Sequence, residues 1–125
     1  MKDQEIEQEI QAKGKTAPRI TPADIEANIA SEHYFTAAEG VIGGSIMAGY
    51  TNAPCPTALA LLTFCVLVLK NGFTVTGESA CASPENFDAE IERKVARENA
   101  VLKIWPLMGY ELKQKLHEVA CEAVL

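Results

Sequence analysis

The chain has 125 residues and a formal charge of −6, from 17 acidic and 11 basic side chains, and is 48% hydrophobic. One domain fits that length and composition and two independent cores do not, while the shortage of Lys and Arg excludes a general coat for extended nucleic acid. Four cysteines are too few for a disulfide-built scaffold.

Residues 1–15 mix charges and lack the apolar stretch of a secretory signal, so the expected compartment is the cytoplasm. The most apolar run, Ala58–Leu69, has 12 residues. A membrane span needs roughly 18 or more, so this run is expected to be a buried element, with no membrane partner. Cys55, Cys65, Cys81 and Cys121 show no C-x-x-C spacing, which argues against a zinc ribbon or a thioredoxin-like motif. Reduced thiols, no metal and no cofactor are the expectation.

Along the chain, residues 1–18 alternate in charge with few apolar anchors and read as a mobile tail or a weak, frayed helix ahead of a single domain over 19–125. Thr21-Pro22-Ala23-Asp24 is a helix start: a capping hydroxyl, a proline at the first position and an acid near the positive dipole end. Ile25 and Ile29 share a face, predicting a short amphipathic helix to about Ser31–Tyr34. Thr36–Glu39 repeats the capping-box spacing, but Gly40 follows at once, which predicts a turn and then a Gly/Pro-rich loop over 40–56. The loop lacks the Gly-Lys-Ser/Thr of a phosphate loop and has no G-x-G-x-x-G. Its length suits a linker, a lid or a partner-contact segment.

Thr63–Leu69 and Phe73–Thr76 read as two strands around Asn71-Gly72, a hairpin within about 61–79. A two-residue turn sets Val68 opposite Val75 and Val66 opposite Gly77. Phe64, Val66, Val68, Phe73 and Val75 then form the apolar face, and Cys65, Leu67 and Leu69 join Thr74, Thr76 and Glu78 on the other. That half-apolar second face predicts a homo-oligomer of cyclic symmetry.

Ser83-Pro84-Glu85 opens the next helix, with Phe87, Ile91, Val95, Leu102 and Ile104, aided by Ala96 and Ala100, as its buried stripe. Pro106 is expected to end or kink it, and Glu111–Val124 to form another helix, with Leu112, Leu116, Val119 and Ala120 on one face. The fold class is α+β: one hairpin packed with a short N-terminal helix and two C-terminal helices.

No catalytic set emerges. His33 and His117 are the only histidines, and Cys81, placed beside a helix start, is the cysteine whose thiolate a dipole could stabilise. Arg93, Arg97, Asn99, Trp105 and Tyr110 form the ligand-binding candidate, because arginines with stacking aromatics can clamp an anionic or nucleotide-like molecule. The bland alternative is a solvated helix flank with Trp105 anchoring the core. The acidity does not forbid such a ligand: Thr21–Gly40 carries −4, whereas Asp88–Glu118 sums to zero.

Thr63-Phe64-Cys65, Asn71–Ala80, Asn86-Phe87-Asp88, Ala96–Ala100, Ile104–Leu107 and Gly109–Leu112, together with Thr21–Phe35, resemble a family of small phage and prophage proteins of enterobacterial podophages. One position departs from the pattern. Glu92 stands where the family's Glu-Ile-Gly-Arg-Lys run carries glycine, which favours the helix if the site is exposed. The resemblance implies a small accessory protein in the host bacterial cytoplasm. Its partner is expected to be a host or anti-phage defence protein, or a small anionic or nucleotide signal that it sequesters. The alternatives are a thiol-dependent enzyme using Cys81 and His117, or a minor virion component.

Overall fold

A computed structural model describes residues 2–124. Helix α1 (Lys2–Ala12) comes first, then α2 (Pro22–Ala27), strand β1 (Ile29–Thr36), helix α3 (Ala37–Met47), strands β2 (Leu62–Leu69) and β3 (Thr74–Ala80), and the long helix α4 (Ala89–Val124). The strands form one antiparallel sheet in the order β1-β2-β3, and α4 packs across β3 and β2. The class is α+β as expected, but the sheet has three strands and the C-terminal part is one helix.

The capping box at Thr21 forms in full: its hydroxyl accepts from the Asp24 amide, and the Asp24 carboxylate accepts from the Thr21 amide. The helix stops at Ala27 rather than running on to Ser31–Tyr34. Residues 29–36 instead extend against β2, Tyr34 opposite Cys65 and Phe35 opposite Phe64. Strand pairing outweighs the local i, i+4 signal of Ile25 and Ile29. The second capping box, Thr36 with Glu39, is also complete, and it opens an actual helix rather than a turn. Gly40, Gly43 and Gly44 are absorbed into α3, so the irregular part of the predicted 40–56 loop begins only after Met47.

The hairpin register differs from the expected one by a single residue. Leu67 lies opposite Val75 and Cys65 opposite Gly77. The connection is a three-residue loop, Lys70-Asn71-Gly72, closed by the Gly72 amide donating to the Leu69 carbonyl (2.9 Å) and the Leu69 amide donating to the Phe73 carbonyl (2.8 Å). Only Gly72 has a positive φ there, +90°, and the Asn71 side chain accepts from the Phe73 amide. This is a turn ending in a glycine bulge rather than a two-residue turn. A one-residue slip exchanges the faces. Thr63, Cys65, Leu67 and Leu69 are therefore the buried side of β2, with Val75, Gly77 and Ser79 on β3. Phe64, Val66 and Val68 belong to the outer face, and Phe73 is exposed.

The core joins Ile25, Cys65, Leu67, Leu69 and Val75 to Ala96, Ala100 and Ile104 of α4. The helix presents Glu92, Ala96, Ala100 and Ile104 to the sheet, while the predicted stripe members Ile91, Val95 and Leu102 are exposed. Gly77 explains the choice of face. A Cβ there would fall inside contact distance of the Ala96 carbonyl oxygen and the Ala100 amide nitrogen, so the helix backbone rests directly on the strand. Ser83 makes no side-chain cap; Asp88 does, accepting from the Ile91 amide at 3.1 Å.

Gly77→Ala should destabilise the fold by at least about 2 kcal/mol, because the helix must lift from the sheet to admit a methyl group. Gly43→Ala, where nothing lies within 4 Å, should be neutral or slightly stabilising. Urea denaturation followed by circular dichroism compares the two.

Candidate functional site

A groove of about 280 Å³ lies between α1, α2 and α4. Pro22, Ile25, Val101, Leu102 and Trp105 supply its apolar lining, and Asp3, Glu26, Arg97 and Glu98 are among its polar residues. Three of the five sequence candidates, Arg97, Asn99 and Trp105, come together here. Arg93 and Tyr110 do not line it; both are exposed, Arg93 one helical turn before Arg97 and Tyr110 beyond Trp105 on α4. The sequence reading missed Ile25, Glu26 and Val101. Arg97, Val101 and Trp105 recur every four residues, which places them on one helix face and was a usable signal.

The guanidinium of Arg97 is already engaged. Nη1 and Nη2 donate to the two carboxylate oxygens of Glu26 at 2.9 and 2.8 Å, and Nε donates to Glu32 at 2.9 Å. One side chain thus ties α4 to α2 and β1. The forked geometry suits a carboxylate pair, and two anions around one cation leave the cluster net negative. Their hydrogen bonds and charge push the Arg97 pKa up, and Arg97 in turn lowers that of Glu26. Asn99 is also committed, its side-chain amide donating to the Glu78 carbonyl at 2.8 Å. Trp105 is half-buried and packs against the core cluster. A further pair, Arg19 on both carboxylate oxygens of Glu7, fastens α1 to the segment before α2 and holds Glu7 at about 2.

The thiol candidates separate. Cys81 precedes α4 by eight residues, away from any dipole, and its thiol donates to the Ser83 carbonyl at 3.2 Å. His117 lies 28 positions beyond Ala89 on α4, about 40 Å along the helix. The imidazole's neighbour is Cys121, one turn on, with 3.7 Å between Sγ and Nε2. Cys65 is buried in β2 against Tyr34, and burial pushes the Cys65 thiol up and the Tyr34 phenol up to about 12. Among the described residues, no group of three His, Cys, Asp or Glu side chains could hold a metal ion. Nor is any helix there long and apolar enough to cross a membrane.

A second surface lies around α3. No charged side chain occurs between Glu39 and Lys70, and Val41, Ile42, Ile46, Met47 and Tyr50 are exposed. Ile42, Ser45, Ile46, Tyr50, Asn52 and Ala53 line a shallow depression of about 310 Å³.

Residues 20–116 match the family model described as the phage protein (N4 Gp49/phage Sf6 gene 66) family. The chain belongs to that family. No curated protein and no solved structure matches it. The matched span opens before α2 and ends within α4, so it contains the sheet, the Arg97 clamp and most of the groove, but not α1. In this family member Glu92 is buried rather than exposed, and the Ser79 hydroxyl donates to it at 2.6 Å. A glycine at position 92 leaves Ser79 without that acceptor.

Glu26→Gln should lower stability by about 1 kcal/mol or less at neutral pH, since the pair is partly exposed. The lowered folded-state pKa makes this contribution fully present above the ordinary value of 4.5 and lost as the pH falls through the depressed one. Denaturation of wild type and variant at a series of pH values should therefore show a gap at pH 7 that closes in acid.

Proposed function

We propose that this phage protein is a binding protein that acts on a host or anti-phage defence component in the bacterial cytoplasm. The groove between α2 and α4 carries the reading: it combines an apolar lining and an indole with a rigidly held polar rim, the make-up of a recognition site. The uncharged surface of α3 adds a second contact area of the kind that protein partners cover, and it gives the Gly/Pro-rich segment a role as a partner-contact element.

A finer reading, sequestration of a nucleotide signal, is favoured by Arg97 and Trp105 lining one groove. Because Glu26 and Glu32 already occupy the guanidinium, the base stacked on Trp105 would be the anchored part and the phosphate would face outward. Thermal-shift measurements against a cyclic-nucleotide panel test this form. The expected result is a rise in Tm with at least one member that Trp105→Ala abolishes; no rise with any member removes the nucleotide reading. Affinity capture from infected cells tests the broader one. A host or defence protein should be retained by the wild type and lost when Ile46 and Met47 are replaced by Asp, and equal recovery with both baits counts against the α3 surface.

A further inference from the structure

Helix α4 is about 54 Å long, yet its contacts with the body end early. Trp105 and Met108 are its last residues packed against the core, and Leu116, Val119 and Val124 are exposed. Of residues 109–124 only Leu112 is half-buried, and the stretch extends some 24 Å beyond Met108 as a single helix. The packed half of α4 nucleates this stretch, and the exposed apolar side chains it carries, Leu116 and Val119, favour a cover.

The face is ordered. Leu112, Leu116, Val119 and Ala123 follow one another at intervals of four, three and four, continuing the line of Trp105 and Gly109. That is the spacing of a two-helix coiled-coil seam. We infer that the projecting half of α4 pairs antiparallel with the same segment of a second copy, forming a two-fold dimer with the two domains at opposite ends.

Charge selects both occupant and orientation. Lys115 and Glu122 lie along one side of the seam, Lys113 and Ala120 along the other. In an antiparallel pair Leu116 meets Val119 of the second copy and Leu112 meets its Ala123. Lys115 then meets Glu122 of the second copy, and the symmetry repeats this ion pair. Lys113 meets only Ala120, so no like charges face each other. A parallel pair sets Lys115 against Ala120, forfeits both ion pairs and brings the acidic domains of two chains, each chain of net charge −6, side by side. The interface is self-complementary, as a two-fold contact requires. His117 and Cys121 point away from the seam, so the dimer leaves them in solvent.

Light scattering of the full chain at about 100 µM should give twice 13.5 kDa. Leu116→Asp should halve that mass while the thermal melt of the domain is retained. Lys115→Glu should raise the dimer dissociation constant at least about tenfold, and Lys115→Glu combined with Glu122→Lys should restore it. A monomeric wild type overturns the inference, as does an oligomer that survives Leu116→Asp, which points to the α3 surface instead. Dissociation unchanged by Lys115→Glu, or not restored by the double exchange, overturns the antiparallel arrangement.

Discussion

The fold depends on a helix lying against a strand with no side chain between them. Gly77 removes the spacer on β3, and Ala96 and Ala100 remove it on α4, so backbone meets backbone on this edge strand of the sheet. Everything else about α4 is set by that contact. Once Ala96 and Ala100 face the sheet, Ile104 enters the core below them, Ile91 and Val95 turn outward, and Arg97 swings towards α2. Larger apolar residues would bury more area per residue, but their volume would hold the helix away from Cys65 and Leu67. Close packing of small residues outweighs area at this position.

The hairpin register and strand β1 depart from the sequence expectation for separate physical reasons. Asn-Gly with apolar runs on either side marks a hairpin, and the hairpin is there. The dipeptide does not count its own loop: with Lys70 included, Gly72 alone takes the left-handed conformation, and the register moves by one. With period-two side chains that is the largest error a strand pair allows, since Leu67 and Val66 exchange environments. Strand β1 was hidden for a different reason. Ile29–Thr36 carries no regular apolar alternation, Ile25 and Ile29 match a helix period, and only pairing with the distant β2 makes the segment a strand. The capping boxes at Thr21 and Thr36 are legible because their partners lie three residues away, whereas the glycines of α3 mask the helix that the second box opens.

The buried polar pair beneath the N-terminal half of α4 shows what a single exchange asks of its surroundings. Glu92 is 8% exposed, and Ser79, at 7%, donates to it. Thr63, opposite Ser79 across the strands, has no hydrogen-bond partner for its hydroxyl among the described residues. A carboxylate in such a place needs donors. Burial at this position depends on the rotation of α4 that Gly77 imposes, which no i, i+4 argument along the helix contains.

The acids of α2, β1 and the start of α3 acquire a meaning that net charge concealed. Thr21–Gly40 holds four of them: Asp24 and Glu39 close the two capping boxes, and Glu26 and Glu32 close on Arg97. All four make structural contacts, although Arg97 balances only one of the charges and the surroundings of the clamp stay net negative. The same pairing changes what the neutral stretch Asp88–Glu118 can offer. Its one arginine in the groove is held between two carboxylates, and a phosphate competing for it must displace a forked, doubly hydrogen-bonded pair. The wall of the groove beside the clamp is flat and apolar: the indole of Trp105 with Val101, Leu102, Ile25 and Pro22. On the proposed reading the groove suits a ring or an apolar side chain better than an isolated anion, and Arg97 ties α2 to α4 beside it.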